Sequence, residues 1–283
     1  MHTFEVRLFG EVRISHRGRS LPSLPTRGAL EILAFLLINR GQPVARDRIA
    51  CTLWGGRSEE RAKKALRTGL WRLRTHLEKT GTSCGLRADR DLVVLVETGN
   101  WWVDLWTFED TVPRLCEPDA TLRSAADADE LRRTLDLHPR PFLETLDARW
   151  CESRRERARL LWLSGMETLV AWYRATGDAT NGLLLAQQVL QVAPLRETMH
   201  RELMTMHYLR GDRPSALLQY ERYRELLRDE LGVSPMASTR DLHDRILRGS
   251  NLAPGRDGSR ATQLRRRTPS PTAATPDAHD SLH

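Results

Sequence analysis

Between Glu59 and Glu78 the chain gathers side chains whose types and spacing suit one chemistry. The stretch "RAKKALRTGLWRLRTHL" carries Arg61, Lys64, Arg67, Thr68, Trp71, Arg72, Arg74 and Thr75. At about 100° per residue, Ala62, Leu66, Leu70, Leu73 and Leu77 share one narrow stripe that must face a core. Lys64, Thr68, Trp71 and Thr75 fall opposite them. Arg67 and Arg74 flank that outer face on one side, Arg61 and Arg72 on the other, and only Glu78 adds negative charge. Guanidinium and ammonium groups neutralise phosphates. Threonines and an indole between them can meet base edges or methyl groups. A charged helix face can also be merely hydrated, and the helix alone does not choose. An outward tryptophan among four arginines shifts the balance toward contact with a polyanion.

The helix is well delimited. Ser58 suits an N-cap, Glu59 and Glu60 suit the positive end of the helix dipole, and Gly81 marks the stop. Gly69 sits in its interior, where glycine costs roughly 0.5–1 kcal/mol relative to alanine; it predicts a close approach or a slight bend. Upstream, "FEVRLFGEVRI" (4–14) alternates apolar and polar about Gly10 and reads as a β-hairpin, with "RGRSLPSLP" supplying a third short strand. "TRGALEILAFLLINRG" is a helix from Thr26 with Leu30, Leu33 and Leu37 in its stripe, ended by Gly41. "VARDRIACTLW" (44–54) is a shorter helix ended by Gly55 and Gly56. Downstream, "CGLRA" and "LVVLV" are strands joined at Asp89-Arg90-Asp91. Strands, three helices and a hairpin make a winged helix-turn-helix, whose third helix enters the major groove while the hairpin lies on the backbone or minor groove.

Charge is distributed to match. Residues 1–79 hold 16 Lys+Arg against 7 Asp+Glu, a net of +9, and the remainder nets −2. The basic half therefore favours a polyanionic partner. With 283 residues, 40% hydrophobic and 29% charged, the chain has the composition of a soluble protein and the length for two domains, each with its own core. Cys51, Cys84, Cys116 and Cys151 stand more than 30 residues apart, with no CxxC or Cys/His cluster, so neither zinc nor a redox motif is expected. No signal peptide or membrane-length apolar run is visible, and the expected location is the cytoplasm, at the nucleoid. HExxH, Walker A and GxGxxG patterns are all absent from the sequence, and neither enzyme activity nor a cofactor is expected.

From about Asp127 to Leu247 the pattern is helical and repeats. "WYRATGD" (172–178) and "HYLRGD" (207–212) place their Gly-Asp pairs 34 residues apart, and Leu183-Leu184 superpose on Leu217-Leu218. That is the tetratricopeptide period, with a plain helical bundle as the alternative; residues 148–176 are long enough for a further helix pair. Trp54 anchors the second helix. Trp101, Trp102 and Trp106 suggest a packed hinge, and Trp150, Trp162 and Trp172 a helical core. His200 and His207, two turns apart without a third ligand, read as structural. Beyond Gly249, Pro, Ser, Thr and Arg265-Arg266-Arg267 read as a disordered tail.

These stretches together resemble the Streptomyces antibiotic regulatory protein family (SARP), in which an OmpR-type winged helix precedes a bacterial transcriptional activator domain. The likeness runs through "FGEVRI", "RGQPVARDRIACTLWG", "LRTGLWRLRTHLE", "VDLWTFED", "LHPRPFLETL", "RGDRPSALLQYERYRELLRDELGVSP" and "TRDLHDRIL", over nearly all of residues 4–248. It implies a transcription activator that binds directly repeated sites upstream of promoters and helps RNA polymerase engage, often at secondary-metabolite clusters. Double-stranded DNA and RNA polymerase are the implied partners, with self-association on the repeats and no membrane. Carried over, Lys64, Arg67, Thr68, Arg72 and Arg74 are DNA contacts, Arg90 is the wing contact, and "WGGRS" (54–58) is the loop toward polymerase. Helix position adds Trp71 and Thr75, with Trp71 on DNA or packed against the wing.

Two departures stand out. Gly69 and Trp71 replace the tyrosine and small polar residue common in relatives, and the wing lacks their Gly-Tyr ending. Neither the P-loop module nor the acidic receiver domain of other regulators is expected. The fold class is mainly α with a small β component: an N-terminal winged helix-turn-helix (1–103), an all-α tetratricopeptide-like domain (104–248) and a tail (249–283). The rival from another class is a tetratricopeptide adaptor with only weak or non-specific DNA binding.

Overall fold

The computed structural model describes residues 3–96, 100–116, 122–137, 140–146, 149–250 and 252; the remaining tail, with its arginine triplet, lies outside them. Three strands come first, β1 (Phe4–Arg7), β2 (Arg13–His16) and β3 (Arg19–Ser20). Phe4 and Val6 face inward while Glu5 and Arg7 face water, the period-2 pattern of a sheet with one buried face. β1 and β2 pair antiparallel from Phe4↔His16 to Arg7↔Arg13. This sheet gains a strand that the sequence pattern did not reveal. β7 (Trp101–Val103) returns parallel to β1 and gives the order β3-β2-β1-β7. Trp101 is therefore strand core: its ring stacks on Phe4 at 4.6 Å and its indole donates to the Cys84 carbonyl at 2.9 Å.

α1 (Arg27–Ile38) is capped at Thr26, whose hydroxyl accepts the Ala29 amide. The expected helix from Val44 is corrected, because Val44–Ala45 forms a two-residue strand, β4, and α2 (Arg46–Trp54) begins after it. Pairing of Val44 with Val93 buries both side chains, a tertiary gain that outweighs local helical spacing. α3 (Glu59–Glu78) follows, then β5 (Leu86–Ala88) and β6 (Leu92–Leu95), in a sheet ordered β4-β6-β5. This is the winged helix, with β5-β6 as its wing. Ser58 stands at the N-cap of α3 with extended backbone, but its side chain makes no cap hydrogen bond.

The regular elements that follow are helices: α4 (Asp104–Leu115), α5 (Ala125–Leu135), α6 (Glu152–Thr176), α7 (Ala179–Val192), α8 (Glu197–Leu209), α9 (Arg213–Leu231) and α10 (Ala237–Leu247). The 34-residue repeat is exact in its turns. Gly177 and Gly211 both have φ of +81°, where a Cβ would be strained. The next residues, Asp178 and Asp212, both cap the following helix by accepting from the residue three ahead, Asn181 and Ser215. Residues 148–176 do not supply a further helix pair. After a short 3-10 turn they form the single helix α6 of 25 residues. Gly165 does not break it; a Cβ there would stand 2.7 Å from Leu135, so this glycine admits α5.

Two separate cores were expected, and the packing differs. One apolar cluster runs unbroken from Phe4 to Met206, and only Met204, Ala216, Tyr220, Ile246 and Leu252 form a second, small one. Long-range polar contacts reinforce the junction. The Asp104 carboxylate, 1% exposed, accepts the amides of Leu8, Phe9 and Leu105. Desolvation raises its pKa to about 6 even so. The Trp106 indole donates to the Leu37 carbonyl at 2.8 Å. A strap at 140–146 lies along residues 8–10, just past β1: the Gly10 amide donates to Pro141 and the Leu143 amide to Leu8. His200 is structural, bonded to the Pro194 carbonyl and stacked on Tyr223.

Candidate nucleic-acid interface

Five leucine and alanine positions of α3 are buried as the periodicity requires: Ala62, Leu66, Leu70, Leu73 and Leu77. They press α3 onto α1 and α2 and leave the opposite face bare. Gly69 lets the contact close. A Cβ built there would lie 2.5 Å from the Ile32 Cδ1 and 3.7 Å from the Gly28 carbonyl oxygen, so the close approach is real and α1 sets the seat of α3.

On the bare face, Lys64, Arg67, Thr68, Trp71 and Arg72 are all exposed. Trp71 shows 65% of its surface to solvent and stands outside the apolar cluster, so it projects from the helix rather than closing over the wing. Thr75 and Arg74 are half-buried. Arg74 differs from its neighbours: its guanidinium donates to the Leu86 carbonyl of β5 at 3.3 Å and stands 4.0 Å from Glu78. It braces the wing against α3.

The structure flanks this ridge with two clefts that the sequence did not disclose. Toward the wing, a cleft of about 580 Å³ is lined by Lys64, Arg67 and Arg90, with Glu60 and Asp91 as partial counterweight. Lys63 also lines it, but it is held by Asp47 at 3.3 Å and Glu59 at 2.6 Å, and those hydrogen bonds raise its pKa. Toward α1, a cleft of about 410 Å³ is lined by Arg57, Arg61, Lys64 and Arg72 and by no carboxylate. Its far wall is the N-terminus of α1 at Thr26 and Gly28, the positive end of a helix dipole. Trp54 packs so closely on Gly28 that a Cβ there would meet its ring at 3.3 Å, which fixes the loop carrying Arg57. Arg57 and the α1 terminus escaped the sequence reading as contact candidates, since only the fold brings them beside Arg61 and Arg72.

The wing tip is closed by hydrogen bonds. Asp89 accepts the amides of Asp91 and Leu92 at 2.9 and 2.7 Å, and these bonds lower its pKa. Arg46 holds the same turn from α2, its guanidinium donating to the Asp89 carbonyl at 3.0 Å. Arg90 is left exposed at the tip. Lys64, Arg67 and Arg90 thus converge on one cleft, Lys64 and Arg72 on the other, and Thr68 and Trp71 crown the ridge. The two clefts flank the α3 ridge and share Lys64. Among the described residues no cluster could hold a metal ion and no helix is long and apolar enough to cross a membrane.

Residues 103–247 match the family described as bacterial transcriptional activator domain. The chain is 29% identical over 253 residues to the regulatory protein AfsR of Streptomyces coelicolor, covering 85% of this chain but 24% of AfsR, about a quarter of that protein's length. It is 30% identical over 254 residues to the transcriptional regulator RedD of the same organism, covering 86% of this chain and 70% of RedD. The solved structure of Mycobacterium tuberculosis EmbR in complex with a low affinity phosphopeptide aligns with a TM-score of 0.74 at 26% identity, over 89% of this chain and 67% of that one. EmbR shares the winged-helix and helical layout.

Proposed function

Because the chain belongs to the bacterial transcriptional activator domain family and is a transcriptional regulator of the SARP type, we propose that it activates transcription from duplex DNA with α3 as its reading helix. In this proposal Lys64, Thr68 and Trp71 face base edges, with Thr75 at the margin of the contact. Arg67 and Arg90 take phosphates of one strand; Arg57, Arg61 and Arg72 take those of the other. Arg74 acts indirectly, by holding the wing. The sites are directly repeated and upstream of promoters, two or more protomers assemble on them, and the helical half with the 54–58 loop engages RNA polymerase. A secondary-metabolite cluster is the proposed setting, and the cytoplasm, at the nucleoid, the proposed location.

The observation that carries this reading is the bare face of α3 between two cationic clefts, one of them without a carboxylate. An adaptor has no use for such a face. The experiment is selection of bound fragments from the host genome at two salt concentrations, with Arg67→Ala and Arg72→Ala beside the parent chain. Enrichment of a few promoter-upstream fragments with direct repeats is expected. Each variant should lose about 0.9 from the salt slope of binding. Uniform retention of all fragments at low salt only, with unchanged slopes, would refute the proposal and favour the adaptor.

A further inference from the structure

The strap at 140–146 does more than bond residues 8–10. Between it, the first half of α6 and the end of α7 lies a cavity of about 350 Å³, within the range of small-molecule sites. Its floor and walls are apolar: Phe142, 1% exposed, Pro141, Trp162 and Val192. Val192 is itself 50% exposed, an aliphatic side chain left against open space at the rim.

The mouth carries three arginines, Arg140, Arg155 and Arg159, against two carboxylates, Glu152 and Glu156. Arg155 is committed to the wall, its guanidinium donating to the carbonyls of Phe142 and Leu143 at 2.9 and 2.8 Å and to that of Leu146. Arg159 is tied to Glu156 by two bonds of 2.9 Å. Arg140 is different: its stem rests on Gly10, its side chain is 68% exposed, and Glu144 approaches only to 3.7 Å. Its guanidinium therefore keeps hydrogen-bonding capacity at the edge of an apolar chamber. An apolar body with one anionic head satisfies both features, the body excluding water from Phe142 and Trp162 and the head taking a charge-assisted bond from Arg140.

We propose that this cavity is a binding site for a small hydrophobic carboxylic acid. Its wall is the strap that bonds the winged helix, Gly10 donating to Pro141, so the ligand would sit against the junction of the two halves. The size suits a bicyclic aromatic or medium-chain acid.

The test is isothermal titration of the full chain with naphthalene-1-carboxylate and its neutral analogue naphthalene-1-methanol. The same titrations are run on Arg140→Gln and on Val192→Trp, which fills the rim from an exposed position. Expected are saturable binding of the carboxylate, binding of the alcohol about tenfold weaker, loss of that preference in Arg140→Gln, and loss of both probes in Val192→Trp. The proposal is overturned if the parent chain gives no saturable binding of the carboxylate, if it binds acid and alcohol alike, or if Val192→Trp binds the acid as the parent does. Should Val192→Trp fail to fold, the acid-to-alcohol preference and its loss in Arg140→Gln still decide.

Discussion

Replacing Gly69 by alanine tests whether α1 sets the position of α3. The added Cβ would stand 2.5 Å from the Ile32 Cδ1, against about 3.5–4.0 Å for carbon atoms in contact, so roughly 1 Å of movement is required. Ile32 is 0% exposed, and overpacking of such a site costs about 1–3 kcal/mol. The atom that must yield is the far end of a side chain, which places the cost near the low end. Alanine recovers about 0.5–1 kcal/mol of helix propensity. The net expectation is a destabilisation of no more than about 0.5 kcal/mol, or roughly 1–2 °C in Tm. Ile32→Val removes the clashing methyl and by itself costs about 0.5–1.5 kcal/mol. In the double variant the alanine methyl occupies the vacated space, so the two changes should compensate with a coupling of about 1 kcal/mol. Urea unfolding of the four chains measures that coupling. Strict additivity, within about 0.5 kcal/mol, would show that Gly69 and Ile32 do not constrain each other and that the seat of α3 is set elsewhere.

The remaining predictions concern the junction, the repeat and the wing. The folded pKa of Asp104, about 6, exceeds its ordinary 3.8, so the folded chain binds this proton more tightly. Stability contributed by the group is full below pH 4, falls as pH rises from about 4 to 6, and is flat beyond, a change of about 3 kcal/mol. Asp104→Asn should lack this component; parallel unfolding curves for parent and variant across that range would expose the mistake. Asp178→Ala and Asp212→Ala should each cost about 1 kcal/mol, since both remove an equivalent N-cap acceptor; a marked difference between them in urea would argue against equivalent turns. Arg74→Ala should speed amide exchange in β5 and β6 while removing less from the DNA salt slope than Arg67→Ala. The reverse order would make Arg74 a direct phosphate contact.

What could be read along the chain and what could not divide by the range of the interaction. The buried stripe of α3, its bare cationic face, the tight turn at Asp89 and the paired Gly-Asp turns at 177–178 and 211–212 all follow from side chains within a turn or two of one another. Periodicity and capping record such neighbours directly. Those contacts were legible, and with them the winged helix, the helical repeat and most of the candidate face. The strand at Val44 and the returning strand at Trp101 were not, because a two- or three-residue strand has no period of its own and exists only through partners 49 residues away for Val44↔Val93 and 97 for Phe4↔Trp101. The α1-side cleft is of the same kind: Arg57, Arg72 and the α1 terminus come from three segments. The large cluster that spans both halves differs from the expected core per domain for the same reason, since Asp104 meets Leu8 across 96 positions and Trp106 meets Leu37 across 69. Local sequence determined which faces exist and their charge; tertiary packing alone decided which of them meet, because burial rewards contacts irrespective of their distance along the chain.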